Sequence, residues 1–468
     1  MVISGNEDLV RRIAKLARQN QDLEDKIRKL LRQNEELSGD YEALKKKYDK
    51  LSSGGIKAIG GGGEKGKSLK FDMATVLFSS IYGFSSLNEK MDSSAVMDEL
   101  DEILFEFDAI VSRYKIEKIK TLGDTYMCAG GIPVKNITNP VDVVMAAIEM
   151  RDYLRRYEDE KRGHSHRLWE LQTGIHTGPV TATLSGKKKI SYDIKGDTVN
   201  TTSRIESVSA RGRILISVMT YELVKEFFEC EYFGKLPVKY KDDLQLYLVK
   251  GIRPEYSVEG KGIIPNDAFR IKFGLIRFTD IQEIILDKLE KELPDYLFYH
   301  NVKHTVDVVT EVELIGWAEG CTDEEILLLK TAALFHDAGH TIEYDNHEYH
   351  STVLAREMLP FFNYDQEQIE RICSIIMATK LPPNPKNLLE KIICDSDLDY
   401  LGRSDFIPVS NTLFEELKAC KKMGSINDWN KIQVKFISGH QYFTKTARRL
   451  REVNKQLQIE RIQSLIRE

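Results

Sequence analysis

No apolar run in these 468 residues approaches the roughly 18–20 that a membrane-crossing helix needs. No membrane segment is therefore expected. The first residues, Met-Val-Ile-Ser-Gly-Asn-Glu-Asp, lack a basic stretch followed by an apolar one, so no signal peptide is expected and the reading is cytoplasmic. An excess of one charge is lacking too. The 67 Lys and Arg against 73 Asp and Glu give a net charge of -6, which offers no basic footprint for nucleic acid. Cysteine is scarce. The six residues Cys128, Cys230, Cys321, Cys373, Cys394 and Cys420 form no CxxC pair, which excludes a zinc cage or disulfide framework and suits reduced thiols.

What is present suits a soluble multidomain protein. Apolar residues make up 42% and charged residues 30%, ordinary values for globular chains, and the length suits two to four domains. Histidine is unevenly spread: six of the ten lie between His300 and His350, a clustering that a solvated surface does not call for.

Residues 6–51 carry a heptad repeat. One seam position reads Leu9, Leu16, Leu23, Leu30, Leu37, Leu44 and Leu51; the other reads Asn6, Ile13, Asn20, Ile27, Asn34, Tyr41 and Tyr48. Leu at d with Ile at a favours a parallel two-stranded coil, and Asn at a penalises other registers. Residues 1–53 are thus expected to form a parallel dimeric coiled coil. The Gly/Ser-rich stretch 54–69 reads as a flexible linker. Residues 70–255 alternate strand-like and helical runs in the order β-α-β-β-α-β, which predicts a ferredoxin-like α+β sandwich. In it Thr75 to Phe78 read as a buried strand and Ile116 to Ala129 as a hairpin turning at Gly123-Asp124. Residues 256–279 read as a connector. From 280 to 468 the apolar spacing is helical almost throughout, which predicts an all-α domain.

Three ordered stretches carry the chemistry of the first domain. They are Phe78-Ser79-Ser80-Ile81-Tyr82-Gly83-Phe84, Lys120-Thr121-Leu122-Gly123-Asp124-Thr125-Tyr126-Met127, and Tyr192-Asp193-Ile194-Lys195-Gly196-Asp197-Thr198-Val199-Asn200, which continues through Ser203-Arg204. Together with Gly174-Ile175-His176-Thr177-Gly178 they resemble the class III nucleotidyl cyclases over about 180 residues. The resemblance implies attack of a ribose 3′-hydroxyl on the α-phosphate of a nucleoside triphosphate, with two divalent cations, Mg²⁺ or Mn²⁺, as cofactors. It implies Asp124 as a metal ligand, Asn200 as the residue that orients the ribose, and Arg204 as the cation that offsets charge in the transition state. Asn200 and Arg204 stand four apart in a helical stretch and so share a face. The resemblance makes Lys120 and Asp193 the base-reading pair. Lys120 can donate to adenine N1 and Asp193 can accept from the exocyclic amine, so the pair points to ATP and cAMP. Guanylyl-type sites tend to carry Glu and Cys there. The family builds its site across a head-to-tail dimer, which the coiled coil would serve. One departure stands out: Ser80 occupies the position of the family's first metal Asp. Asp72, eight residues away, lies roughly 26 Å along an extended strand and cannot substitute.

The second half contains Tyr299-His300-Asn301-Val302-Lys303-His304, Phe335-His336-Asp337-Ala338-Gly339-His340, Asn346-His347-Glu348-Tyr349-His350 and Cys394-Asp395-Ser396-Asp397-Leu398. These resemble the HD superfamily, and Tyr-His-Asn-x-x-His is especially similar to cyclic-nucleotide phosphodiesterases. His300 and His304 share a helix face, and a mixed His/carboxylate set suits Zn, Mn, Fe or Mg with a water nucleophile. The resemblance implies His304, His336, Asp337 and Asp397 as metal ligands, with Asp395 the alternative to Asp397. It implies His300 as general acid, and His340, His347 and Glu348 as holders of a second metal or of the outer shell. No purine-clamping Gln/Phe motif is evident; Gln433 and Gln441 are the candidates.

Overall fold

The computed structural model describes residues 68–82, 93–161, 169–185, 191–237 and 243–466. The coiled coil expected over 1–53, and the linker as far as residue 67, lie outside them. The last two residues assigned to the linker, Ser68 and Leu69, instead open the first strand.

The first half is built on β1 (Ser68–Tyr82), α1 (Ser93–Arg113), β2 (Glu117–Leu122), β3 (Thr125–Gly130), α2 (Asn139–Lys161) and β4 (Glu170–Ser185). Strand β1 pairs antiparallel with β3 on one side and β4 on the other. With β2 outside β3, this gives the order β2-β3-β1-β4, the antiparallel arrangement expected of a β-α-β-β-α-β sandwich. The sheet continues through β6 (Arg213–Ser217), β8 (Leu244–Ile252) and β7 (Phe228–Leu236), while β5 (Ser191–Lys195) pairs with the far end of β4. Helices α3 (Asp197–Val208) and α4 (Val218–Val224) complete this half.

Strand β1 reads as an unbroken buried run because both of its faces are covered. Leu77 and Ile81 enter the core shared with α1 and α2, whereas Val76 and Phe78 enter a smaller cluster on the other face. At Gly174 in β4, an added Cβ would lie 2.3 Å from the backbone N of Glu206. Glycine there lets α3 lie directly on the strand.

Helix α5 (Asp267–Glu292) runs for 26 residues. The boundary expected between connector and helical domain at 279/280 falls inside it. Its start is capped by Asn266, whose side chain accepts from the Phe269 N–H. Phe269 and Phe273 belong to the core of the sheet domain, while Phe278, Ile281, Ile285 and Leu289 belong to the core of the helical half.

The helical half continues with α6 (Val302–Ala318), α7 (Asp323–Phe335), α8 (His347–Met358), α9 (Gln366–Met377), α10 (Leu388–Asp397), α11 (Phe406–Ala419), α12 (Ile426–Gly439) and α13 (Lys445–Leu465). Thr322 and Glu325 form a reciprocal capping box at the start of α7, which satisfies donors left free by the first turn. Residues 326–329 and 331–335 of α7 are buried. A helix apolar on all sides belongs at the centre of a domain, and this one delivers His336 and Asp337 from its C-terminal end into the interior.

Candidate active sites

The hairpin between β2 and β3 turns at Gly123, whose φ of 63° is left-handed and suits glycine. The turn sets Asp124 beside the end of β1. Ser80 pairs in register with Thr125, their hydroxyl oxygens lie 2.8 Å apart, and the Asp124 carbonyl accepts from the Ile81 N–H at 3.0 Å. Ser80 and Asp124 therefore share one end of two neighbouring strands. Helix α3 brings a third group to the same spot. Burial pushes the Glu206 carboxyl up, the neighbouring Asp124 charge acts the same way, and a hydrogen bond with Ser80 opposes them. Sequence reasoning missed Glu206, although it lies only two residues past Arg204.

Lys120 on β2 and Asp193 on β5 meet at 3.2 Å (Nζ to Oδ1), with the Lys195 ammonium 3.9 Å from the same carboxylate. Both partners of the closer pair are about 40% exposed. Such half-exposed pairs add little to stability, so both side chains stay available to a ligand. Asn200 and Arg204 are exposed on α3, where the Arg204 guanidinium donates to the Pro237 carbonyl. The donor set beside Asp124, the Ser80 hydroxyl and a Glu206 carboxyl that burial pushes toward its neutral form, does not match a pair of divalent cations. Ser80 contributes a neutral hydroxyl already bonded to Thr125, whereas hard cations take anionic oxygens.

The helical half assembles its site from separate elements. His304 comes from the first turn of α6, where the Asn301 side chain caps the helix. His336 and Asp337 follow α7, and Asp397 ends α10. The His304 Nε2 lies 3.1 Å from Asp397 Oδ1, 3.3 Å from Asp337 Oδ2 and 3.3 Å from His336 Nε2. The His336 Nε2 lies 3.1 Å from Asp337 Oδ2. His336 is fully buried, and its Nδ1 is bonded to the Ala333 carbonyl. That bond fixes the ring and turns Nε2 inward. Burial alone would lower the pKa of His304 and His336, but the Asp337 and Asp397 carboxylates raise both. His336 instead holds Asp337 well below the usual carboxylate range, against the effect of burial. Buried Asp337 Oδ2 has no aligned hydrogen bond while two ring nitrogens point at it. Two nitrogens and two carboxylates converging on one buried point fit a divalent metal.

A second group adjoins the first. His300, Asp337 and His340 also offer converging ligand atoms. His340 stacks on His347 at 3.9 Å, and the His347 Nε2 lies 3.5 Å from Asp337 Oδ1. Both ring nitrogens of buried His340 lack hydrogen-bond partners, and burial pushes its pKa down to about 3. A neutral ring is the form that can ligate. Glu348 is buried, with Oε1 3.7 Å from the His347 Nε2.

Asp395 corrects the alternative assignment. Its carboxylate accepts from the N–H groups of Phe443 and Thr444, both at 2.8 Å, and from the Thr444 hydroxyl at 2.7 Å. It anchors the start of α13 and takes no part in the histidine cluster. Gln433 is buried and donates to Ser410, and Gln441 is exposed. Neither lines the cavity of about 300 Å³ that opens beside His304 and Asp397 between Tyr299, Tyr400 and Val409.

Sequence reasoning also missed Glu416 on α11. This fully buried carboxylate takes the Nδ1 side of the His300 ring, the N–H groups of Tyr299 and His300, and the Tyr344 hydroxyl. Burial would raise its pKa, but these bonds and the His300 charge lower it. An ionised Glu416 holds His300 Nε2 free, as a proton donor requires.

Residues 67–251 match the family described as the adenylate and guanylate cyclase catalytic domain, and residues 301–399 match the HD domain. The chain thus carries a nucleotidyl cyclase domain, a lyase type, followed by an HD domain; both types depend on divalent metal. "Guanylyl cyclase, membrane" of Dictyostelium discoideum is 36% identical over 181 residues, which cover 38% of this chain and 12% of that protein. Human atrial natriuretic peptide receptor 2 is 32% identical over 194 residues, which cover 41% of this chain and 18% of the receptor. The chain therefore spans less than a fifth of the length of these relatives. The crystal structure of the adenylyl cyclase CyaB from P. aeruginosa is 32% identical, covering 39% of this chain and 95% of that one, with a TM-score of 0.37. Among the described residues no helix is long and apolar enough to cross a membrane.

Proposed function

We propose that the cyclase domain takes ATP and forms cAMP and pyrophosphate at a homodimer interface, and that the HD domain is a metal-dependent phosphohydrolase. The observation that carries the choice of base is the Lys120–Asp193 pair at 3.2 Å. An ammonium beside a carboxylate matches the acceptor N1 and donor amine of adenine and mismatches guanine. Asn200 orients the ribose, and Arg204 offsets charge on the phosphoryl oxygens as the leaving group departs. In the HD domain His304, His336, Asp337 and Asp397 hold the metal, and His340 and His347 flank a second position. Metal there supplies a nucleophilic water near neutral pH. His300, held by Glu416, donates the proton to the leaving oxygen.

Ser80 favours a second reading. With a hydroxyl where a carboxylate is needed and a complete ligand set in the HD domain, the HD domain is the working enzyme, a cyclic-nucleotide phosphodiesterase, and the cyclase domain senses nucleotide. Incubating the chain with ATP, and separately with cAMP, each with Mn²⁺, separates the two by chromatography of the products. cAMP from ATP supports the first reading, and AMP from cAMP without cyclase turnover supports the second. The base assignment is tested by Lys120→Glu with Asp193→Cys. This should weaken ATP binding relative to GTP, because the swapped pair no longer matches adenine's acceptor N1 and donor amine; an unchanged preference refutes it.

A further inference from the structure

Helix α5 belongs to two cores at once, and its middle carries a polar clasp that serves neither active site directly. The Asp280 carboxylate, 6% exposed, accepts from the Ile137 N–H at 2.8 Å and from the Thr138 hydroxyl at 3.0 Å. These groups stand just ahead of α2 in the cyclase domain, so a residue of the bridging helix satisfies donors at another helix's N-terminus. One turn earlier Arg277 pairs with Asp142 at 3.1 Å, both side chains 13% exposed. The same guanidinium lies 4.3 Å from the Phe273 ring. Buried polar groups matched this fully fix one arrangement, because any shift leaves a charge unpaired.

Packed contacts lead outward from the clasp on both sides. Asn139, two residues after Ile137, accepts from the Thr75 hydroxyl on β1 at 2.6 Å. Five residues further along β1 stands Ser80. On the HD side an added Cβ at Gly274 would meet Leu327 Cδ2 at 2.7 Å, so α5 and α7 approach closely there. The Lys330 ammonium of α7 sits 5.0 Å from the Phe278 ring of α5. Helix α7 ends at His336 and Asp337.

We propose that α5 couples the two sites: metal binding at His304, His336, Asp337 and Asp397 tightens the segment 131–142 and β1 of the cyclase domain, through Asp280 and the Arg277–Asp142 pair. The metal-binding part of this statement rests on the reading of the HD site given above. Metal draws four side chains from three helices to one point and so fixes the end of α7. A stiffer α7 restrains α5, and the clasp passes that restraint to the start of α2. Coupling is reciprocal for binding: where the tightened β1 holds nucleotide better, nucleotide in turn favours the metal-bound HD domain.

Hydrogen exchange of the full chain tests this, with Mn²⁺ alone as the probe and bound metal counted by mass spectrometry. The expected result is that Mn²⁺ slows exchange of amides in 131–142 and β1 by about 5-fold or more, the lower range of allosteric coupling. The same slowing is expected in Asp124→Ala, because the metal responsible is not at the cyclase site. It should vanish in Asp280→Ala and in Arg277→Met while both variants still bind metal in the HD domain. Two variants guard against one failing to fold, and retained metal content reports an intact HD domain. Metal bound in the wild type with no change in 131–142 or β1 overturns the coupling and leaves the HD reading standing. A slowing that persists in both clasp variants overturns it as well. A chain that takes up no metal overturns the HD reading and the coupling together.

Discussion

Ser80 is where the chain departs most from the chemistry its fold is built for. It sits at the end of β1, bonded to Thr125 and beside Asp124, so the backbone already sets this position next to the proposed metal ligand Asp124. Ser80→Asp adds an anionic ligand there without moving the strand. A preorganised electrostatic contact of this kind contributes a few kcal/mol to a transition state, which corresponds to roughly 10²–10³ in rate. Turnover of ATP with Mg²⁺ and with Mn²⁺ should rise by about that factor, and the double change Ser80→Asp, Asp124→Ala should be inactive. No rise would mean that residue 80 is not a metal position. Glu416 offers a second residue-scale test. Glu416→Gln keeps a group that can accept from the Tyr299 and His300 N–H groups but removes the charge behind the His300 ring. Partners behind catalytic or ligating groups typically contribute 10–100-fold. The HD reaction should slow by about that much with metal content unchanged; loss of metal would assign Glu416 a purely structural role.

Elements differed in how far the sequence disclosed them. β1 was legible because a strand covered on both faces leaves an uninterrupted apolar run, Val76 to Phe78. The hairpin at Gly123 was legible because a left-handed turn selects glycine. α5 was not legible, because its apolar face changes core midway: Phe269 and Phe273 serve one domain, Ile281 and Ile285 the other. The two candidate carboxylates of α10 could not be separated by pattern alone. Two residues apart on a helix they point about 200° apart, and only the positions of His304 and Thr444 decide which faces the site. Glu416 had no local signal, since the histidine it holds is more than a hundred residues away. The α2 residue that the bridging helix grips also carries a pH prediction. Burial pushes Asp142 up to about 6, against the pull of Arg277 and Lys115 and with the repulsion of Asp280. A carboxyl raised in the folded state binds a proton that the unfolded chain has already lost. Its contribution to stability therefore declines as pH rises from about 4 to about 6 and is level above that. Asp142→Asn removes that decline. Urea midpoints across this range should fall less in the variant than in the wild type; equal slopes would mean that Asp142 ionises normally.

At the scale of the whole molecule, the two chemistries stand on separate cores joined by one helix. The proposed HD ligands come from α6, the end of α7 and the end of α10, all in the helical half, and among the described residues none of them comes from the sheet domain. Metal retention should thus be independent of the cyclase residues. The site is also built to bind: each of the two histidine nitrogens already lies 3.1–3.5 Å from both carboxylates, so little ordering opposes metal entry. The full chain should co-purify with a transition metal. His336→Ala with Asp337→Ala removes one nitrogen ligand and the carboxylate that faces both histidine groups, so binding at either position should be lost. Asp124→Ala, in the other domain, should leave the metal content unchanged. The boundary within α5 decides how this must be measured. A fragment beginning at 280 would cut the helix and strip Phe278 from its core, so the full-length chain is the proper object. Mass spectrometry of the wild type and both variants, each purified without added metal, gives the comparison. Equal metal in the wild type and in His336→Ala, Asp337→Ala would mean that the metal lies elsewhere. Loss of metal in Asp124→Ala would mean that the cyclase site, not the histidine cluster, is what holds it.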